Sequence, residues 1–127
     1  MLVGKKILLV EDEKFIRELF QMYLLSEGYT VVTADTGPDA VDKFQTEVFD
    51  LVLLDIMLPG KDGISVLADV SKINSRVPVA MLTNLADDSL VKRAFELGAV
   101  GYFLKARVNK EELLKEVKGF VEAPVTV

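Results

Sequence analysis

The sequence predicts an α/β fold: a single parallel sheet of five strands with helices on both of its faces. Two observations carry this. Short strand-like runs, mostly apolar, alternate five times with segments whose apolar residues recur at helical spacing. The connections between them are only a few residues long, which suits right-handed crossovers in a doubly wound sheet. With 127 residues, 50% of them hydrophobic, one domain can bury a substantial core.

Lys6-Ile7-Leu8-Leu9-Val10 is apolar on both faces, as a strand inside a parallel sheet must be, and it stops at Glu11-Asp12-Glu13. Phe15, Ile16, Leu19, Phe20, Tyr23 and Leu24 then trace a helix, with Gly28 as its C-cap. Thr30 to Ala34 reads as the second strand. Gly37 and Pro38 take the cap and first-turn positions of a helix carrying Ala40, Val41 and Phe44.

The third strand runs through Leu51-Val52-Leu53-Leu54 and ends on Asp55. Pro59, Gly60 and Gly63 suit a turn beyond it, and Ile64 to about Asn74 forms the third helix. Val77 to Leu82 makes the fourth strand, with Pro78 tolerated near its start and Thr83 at its end. Asp87-Asp88-Ser89 supplies N-caps for a helix closed by Gly98, and Val100 to Leu104 forms the fifth strand, ending on Lys105. Asn109 with Glu112 resembles a capping box ahead of the last helix, whose stripe is Leu113, Leu114, Val117, Phe120 and Val121. The domain is expected over residues 1–122, with 123–127 as a tail or linker stub.

Composition removes several classes of chemistry. Without cysteine there is no disulfide frame, thiolate metal site or thiol nucleophile. The absence of histidine excludes His-based acid/base catalysis and His-ligated zinc, and any phosphohistidine must come from another molecule. A net charge of -5 argues against a broad nucleic-acid surface. No apolar run is long enough to span a membrane, and Glu11 arrives too early for a secretory signal. A soluble, cytoplasmic chain with no direct nucleic-acid or membrane contact is expected. With the chain ending near Val127, no second domain is expected.

In a parallel sheet every strand's carboxyl end points to one edge, and ligands bind there at the topological switch point. Glu11 and Asp12, Asp55, Thr83 and Lys105 follow strands one, three, four and five. Each alone could be a cap or turn residue; their convergence on one edge is harder to explain that way. For the order 2-1-3-4-5, the switch point brings the acidic pair beside Asp55. Two carboxylates about 5 Å apart repel by roughly 3 kcal/mol at an effective dielectric near 20, so the cluster should raise a pKa or bind a cation. Oxygen-only ligands favour a hard ion such as Mg2+. Asp55 can then serve as nucleophile toward a phosphoryl group, with Lys105 and Thr83 stabilising its charge.

These residues resemble the receiver domain of two-component response regulators, chemotaxis-regulator-like, over Lys5 to about Val121. The resemblance implies the flavodoxin-like order 2-1-3-4-5 and a phosphoacceptor that is not an enzyme in the usual sense, with self-catalysed phosphotransfer and slow autodephosphorylation. Asp55 would accept the phosphoryl group from a sensor histidine kinase or phosphotransfer protein. Glu11, Asp12, Asp55 and the Met57 carbonyl would hold Mg2+, with Glu11 either direct or through a water. Lys105 and Thr83 would bind the phosphoryl oxygens. Thr83 and Tyr102 would act as the switch, altering the face of helix four, strand five and helix five for a downstream target or a phosphorylation-dependent dimer.

Met57 and Leu85 occupy lifetime-tuning positions, and their apolar side chains are expected to shield the acyl phosphate. Ala106 follows Lys105 where the family usually has proline, so a trans loop or local strain is expected. Asn84 stands where a small residue is common, and should either narrow the route to Asp55 or contact the phosphoryl group. Two other readings compete: a non-phosphorylated receiver-like adaptor, and a Mg2+-dependent aspartyl phosphohydrolase. The second usually has another Asp two residues past its nucleophile, where this chain has Met57.

Overall fold

The computed structural model describes residues 4–122; the expected tail at 123–127 lies outside them. Five parallel strands, β1 (Lys6–Val10), β2 (Thr30–Ala34), β3 (Leu51–Leu54), β4 (Val79–Thr83) and β5 (Gly101–Leu104), form one sheet in the order β2-β1-β3-β4-β5. Each strand is followed in sequence by a helix: α1 (Lys14–Ser26), α2 (Gly37–Thr46), α3 (Gly63–Ile73), α4 (Asp88–Glu96) and α5 (Lys110–Val121).

Alternation along the strands divides the interior into two layers. Ile7, Leu9, Leu51, Leu53, Ala80 and Leu82 pack with Phe20 and Leu24 of α1 and with Leu113 and Val117 of α5. Leu8, Val10, Val52, Leu54 and Met81 face Ala40 and Phe44 of α2, Val66, Leu67 and Val70 of α3, and Ala94 of α4. The period-two geometry of a strand thus makes both faces of the sheet apolar, which accounts for the unbroken hydrophobic runs. Among the described residues no helix is long and apolar enough to cross a membrane.

The expected elements are all present, with local corrections. Thr36, not Gly37, caps α2: its Oγ1 accepts from the Asp39 amide at 3.1 Å, whereas glycine has no side chain to do so, and Gly37 enters the first turn. Gly63 likewise opens α3 instead of belonging to the turn, because Asp62 caps the helix by accepting from the Ser65 amide. The ladder of β4 begins at Val79, two residues after Val77; Pro78 lacks an N–H, and its carbonyl accepts from Val52. Strand β5 starts at Gly101, one residue later than expected. Gly28 and Gly98, with φ of +88° and +103°, end α1 and α4 as expected of residues in the left-handed region. Asn109 caps α5, accepting from the Glu112 amide at 2.8 Å.

Gly63 has a further role that the sequence did not disclose. A Cβ built on it would lie 1.9 Å from the Asp55 carbonyl oxygen, and its amide donates to the Ile56 carbonyl at 2.8 Å. The start of α3 is therefore set directly against the backbone of the residue at the tip of β3. Gly63→Ala should destabilise the domain by about 1–3 kcal/mol, because the clash is with backbone that cannot swing aside. Urea unfolding measures it; wild-type stability in the variant would show that the two segments are free to part.

Candidate phosphoacceptor site

The site lies at the carboxyl edge of the sheet, and main-chain bonds one step past the strands hold its residues there. The Glu11 amide donates to Ala34, the Asp55 amide to Val10 and the Lys105 amide to Thr83, at 3.0, 3.1 and 3.0 Å. Pairing of β1 with β2 on one side and β3 on the other makes β1/β3 the switch point, so Glu11 and Asp55 emerge side by side. Glu11, Asp55 and Thr83 are 2, 4 and 1% exposed; Asp12 is exposed at the mouth.

Lys105 binds the cluster together. Its Nζ lies 2.6 Å from Glu11 Oε1 and 2.9 Å from Asp55 Oδ2, with only 12% of the side chain exposed. Asp55 Oδ1 accepts from the Ile56 amide at 2.7 Å. Burial pushes the Glu11 carboxyl above its ordinary range, opposed by the bonds from Lys105 and the Glu13 amide and reinforced by the charge on Asp55. Burial pulls Lys105 down, but the two carboxylates outweigh it and hold the ammonium above its usual value. The lysine is therefore fully charged at neutral pH.

Carboxylate oxygens of Glu11, Asp12 and Asp55 lie within 4.8 Å of one another. Three carboxylates against one ammonium leave a formal surplus of two negative charges. An all-oxygen donor set with that surplus suits a small divalent cation, and the residues present fit the Mg2+ expected from the sequence. They border a cleft of about 420 Å3 that also meets Met57, Thr83, Asn84 and Leu85.

Thr83, Met57, Asn84 and Leu85 line this cleft, and Tyr102 reaches it through Leu85. Thr83 Oγ1 accepts from the Leu85 amide at 3.3 Å, and the Leu85 carbonyl accepts from the Tyr102 hydroxyl. Leu85 thus joins Thr83 to Tyr102 through its main chain, a link that residue types cannot reveal because it uses backbone atoms. Burial, with the nearby charges of Asp87 and Asp55, raises the Tyr102 phenol pKa and keeps it a hydrogen-bond donor. Met57 stands at the rim, 65% exposed. Asn84 turns its Oδ1 to the Ala106 amide at 2.9 Å. The Lys105-Ala106 peptide is trans, as is every peptide among the described residues.

Two supporting residues were missed from sequence. Arg17, one turn into α1, donates from Nη1 to the carbonyls of Glu11 and Asp12 at 3.0 and 3.3 Å and so pins the acidic loop. Its spacing from Glu11 was legible, but surface arginines on helices are common. Gly63, behind Asp55, is the other.

Comparison with known proteins agrees with this geometry. A receiver-domain protein (CheY-like) from Methanospirillum hungatei JF-1 superposes with a TM-score of 0.91 at 31% identity, over 94% of this chain and 95% of that one. The receiver domain of a sensor histidine kinase from Pseudomonas aeruginosa PAO1, whose crystal structure has magnesium coordinated in the active-site cleft, gives 0.87 at 28% identity, over 95% and 100%. A CheX-CheY complex from Borrelia burgdorferi with BeF3 and magnesium also gives 0.87 at 28%, over 92% and 89%. The family description Response regulator receiver domain matches residues 7–118. With its β2-β1-β3-β4-β5 sheet and its acidic cleft, the chain belongs to the response regulator receiver domain family of two-component signalling.

Proposed function

We propose that this chain, as a receiver domain filling residues 1–122, takes a phosphoryl group onto Asp55 from the phosphohistidine of a sensor kinase or phosphotransfer protein in the cytoplasm. The single observation that carries this is the ammonium of Lys105 held 2.9 Å from the buried Asp55 carboxylate. The magnesium in the Pseudomonas relative's cleft, and magnesium with BeF3 in the Borrelia relative, support the same reading.

An oxygen of Asp55 attacks phosphorus and forms an O–P bond. The N–P bond of the donor breaks, and its electron pair remains on the imidazole nitrogen. Glu11, Asp12, Asp55 and the Met57 carbonyl would hold Mg2+, which when bound supplies positive charge to the phosphoryl oxygens. Lys105 exchanges its carboxylate partner for a phosphoryl oxygen, and Thr83 donates its hydroxyl to another. Water later cleaves the O–P bond slowly, so the chain acts as a phosphoacceptor rather than a turnover enzyme.

Phosphorylation adds about 1.5 to 2 negative charges where the Thr83-Leu85-Tyr102 links converge. A new acceptor for the Thr83 hydroxyl draws that residue inward, and Tyr102 follows through the Leu85 main chain. This alters the face of α4, β5 and α5 for a downstream target or a second phosphorylated copy.

Incubation with acetyl phosphate and Mg2+, followed by intact-mass analysis, should show a labile gain of one phosphoryl group that Asp55→Ala lacks. Lys105→Ala should slow the gain by about 10²–10³-fold, the usual effect of losing one preorganised charge stabiliser. An adduct in Asp55→Ala, or full rate in Lys105→Ala, would remove the assignment. Exchanging Met57 and Leu85 for Asn or Glu should shorten the life of the acyl phosphate by admitting and orienting water; an unchanged decay rate would show that neither side chain shields it.

A further inference from the structure

Asn84 serves no purpose in the chemistry above, yet it makes a contact between the two loops that flank the cleft. Strand β4 ends at Thr83, whose carbonyl accepts the Lys105 amide at 3.0 Å. The next amide along, that of Ala106, points the same way and finds no main-chain partner on β4. Asn84 supplies one with its side chain, Oδ1 accepting at 2.9 Å. Beyond this the chain folds back, with the Arg107 and Val108 amides both on the Leu104 carbonyl at 3.0 Å. Asn84 therefore extends the β4/β5 pairing by one bond, at the residue directly after Lys105.

The position of this bond decides what it does. Asn84 and Ala106 are both exposed, so water can replace either partner and the bond contributes little to global stability. Lys105, by contrast, is largely buried and must keep its Nζ on two carboxylates fixed by β1 and β3. The long lysine stem is flexible, and its aim depends on where its own main chain is held. Asn84 also borders both the acidic cleft and the groove between α1 and the start of α5, so it stands on the wall they share.

We infer that Asn84 is a positioning residue: through the Ala106 amide it clamps the loop that carries Lys105 and fixes the ammonium for phosphoryl transfer to Asp55. The inference rests on the phosphoacceptor reading. It differs from a direct contact between Asn84 and the phosphoryl group in requiring the Ala106 N–H. Loss of the clamp leaves Lys105 charged and present but poorly aimed, and small misplacements of a catalytic group can cost up to about 10²-fold in rate.

The test is a double-mutant cycle on acetyl phosphate uptake at saturating Mg2+. Asn84→Ala is expected to slow phosphorylation about tenfold, within that range. Ala106→Pro, which lacks the N–H, should slow it similarly, and the double variant should be no slower than the slower single. Proline also restricts the residue before it, so lactic acid at position 106, with an ester oxygen in place of the N–H, provides the second variant. Glu47→Ala, which loses an ion pair with Lys6 at the opposite edge of the sheet, where β1 begins, controls for general instability and should react at the wild-type rate. Hydrogen exchange of the Ala106 amide, followed by NMR in the same proteins, should accelerate in Asn84→Ala. Additive effects would assign Asn84 to direct phosphoryl contact and overturn the inference, as would a wild-type rate in Asn84→Ala or the ester variant. Unchanged exchange at Ala106 overturns the clamp even if the wild type takes up no phosphoryl group, an outcome that would separately defeat the proposed function.

Discussion

The ammonium of Lys105, seated between Glu11 and Asp55, is the interaction on which the site depends. Both carboxylates are deeply buried, and the ammonium between them offsets part of the desolvation and mutual repulsion that burial brings. The lysine comes from the far end of the chain, 94 residues after Glu11. The bond therefore forms only when the whole sheet is assembled. It also leaves the cluster short of neutrality, so the same contact that makes the cleft tolerable keeps it receptive to a divalent cation.

The sheet makes such a long-range contact reproducible. Parallel pairing carries every strand to the same edge, and the residues after β1, β3 and β5 inherit a neighbour's register through one further main-chain bond. Both faces are sealed by helices, so side chains at the edge can be buried on their flanks while their polar ends meet the cleft. Gly63 and Arg17 work at this level. One lets α3 approach the Asp55 main chain and the other ties α1 to the acidic loop. Neither residue lines the cleft, yet both fix the residues that do.

The loops above β4 and β5 are where this chain departs from the pattern its relatives led one to expect. At 106 and 84, where the resemblance implied proline and a small residue, this chain has a residue with an amide and a side-chain acceptor. In three dimensions these are a donor and its acceptor, so the two departures are one feature. Leu85 is comparable: singled out for an apolar side chain, it is engaged through its amide with Thr83 and through its carbonyl with Tyr102.

The five strands, the five helices and the residues at the strand tips were legible from the sequence alone, because apolar periodicity and turn chemistry are local properties. It placed Asp55, Thr83 and Lys105 correctly for the same reason: each terminates an apolar run. The strand order came from resemblance, and the structure bears it out. What the sequence did not disclose are contacts made by main-chain atoms or by the absence of a side chain: the Thr36 cap in place of Gly37, the approach of Gly63 to Asp55, and the Asn84 bond to Ala106. That Lys105 spans both Glu11 and Asp55 follows from the assembled sheet and not from residue types. Residue types announce charge, but the distance between charges is set by how the strands are paired.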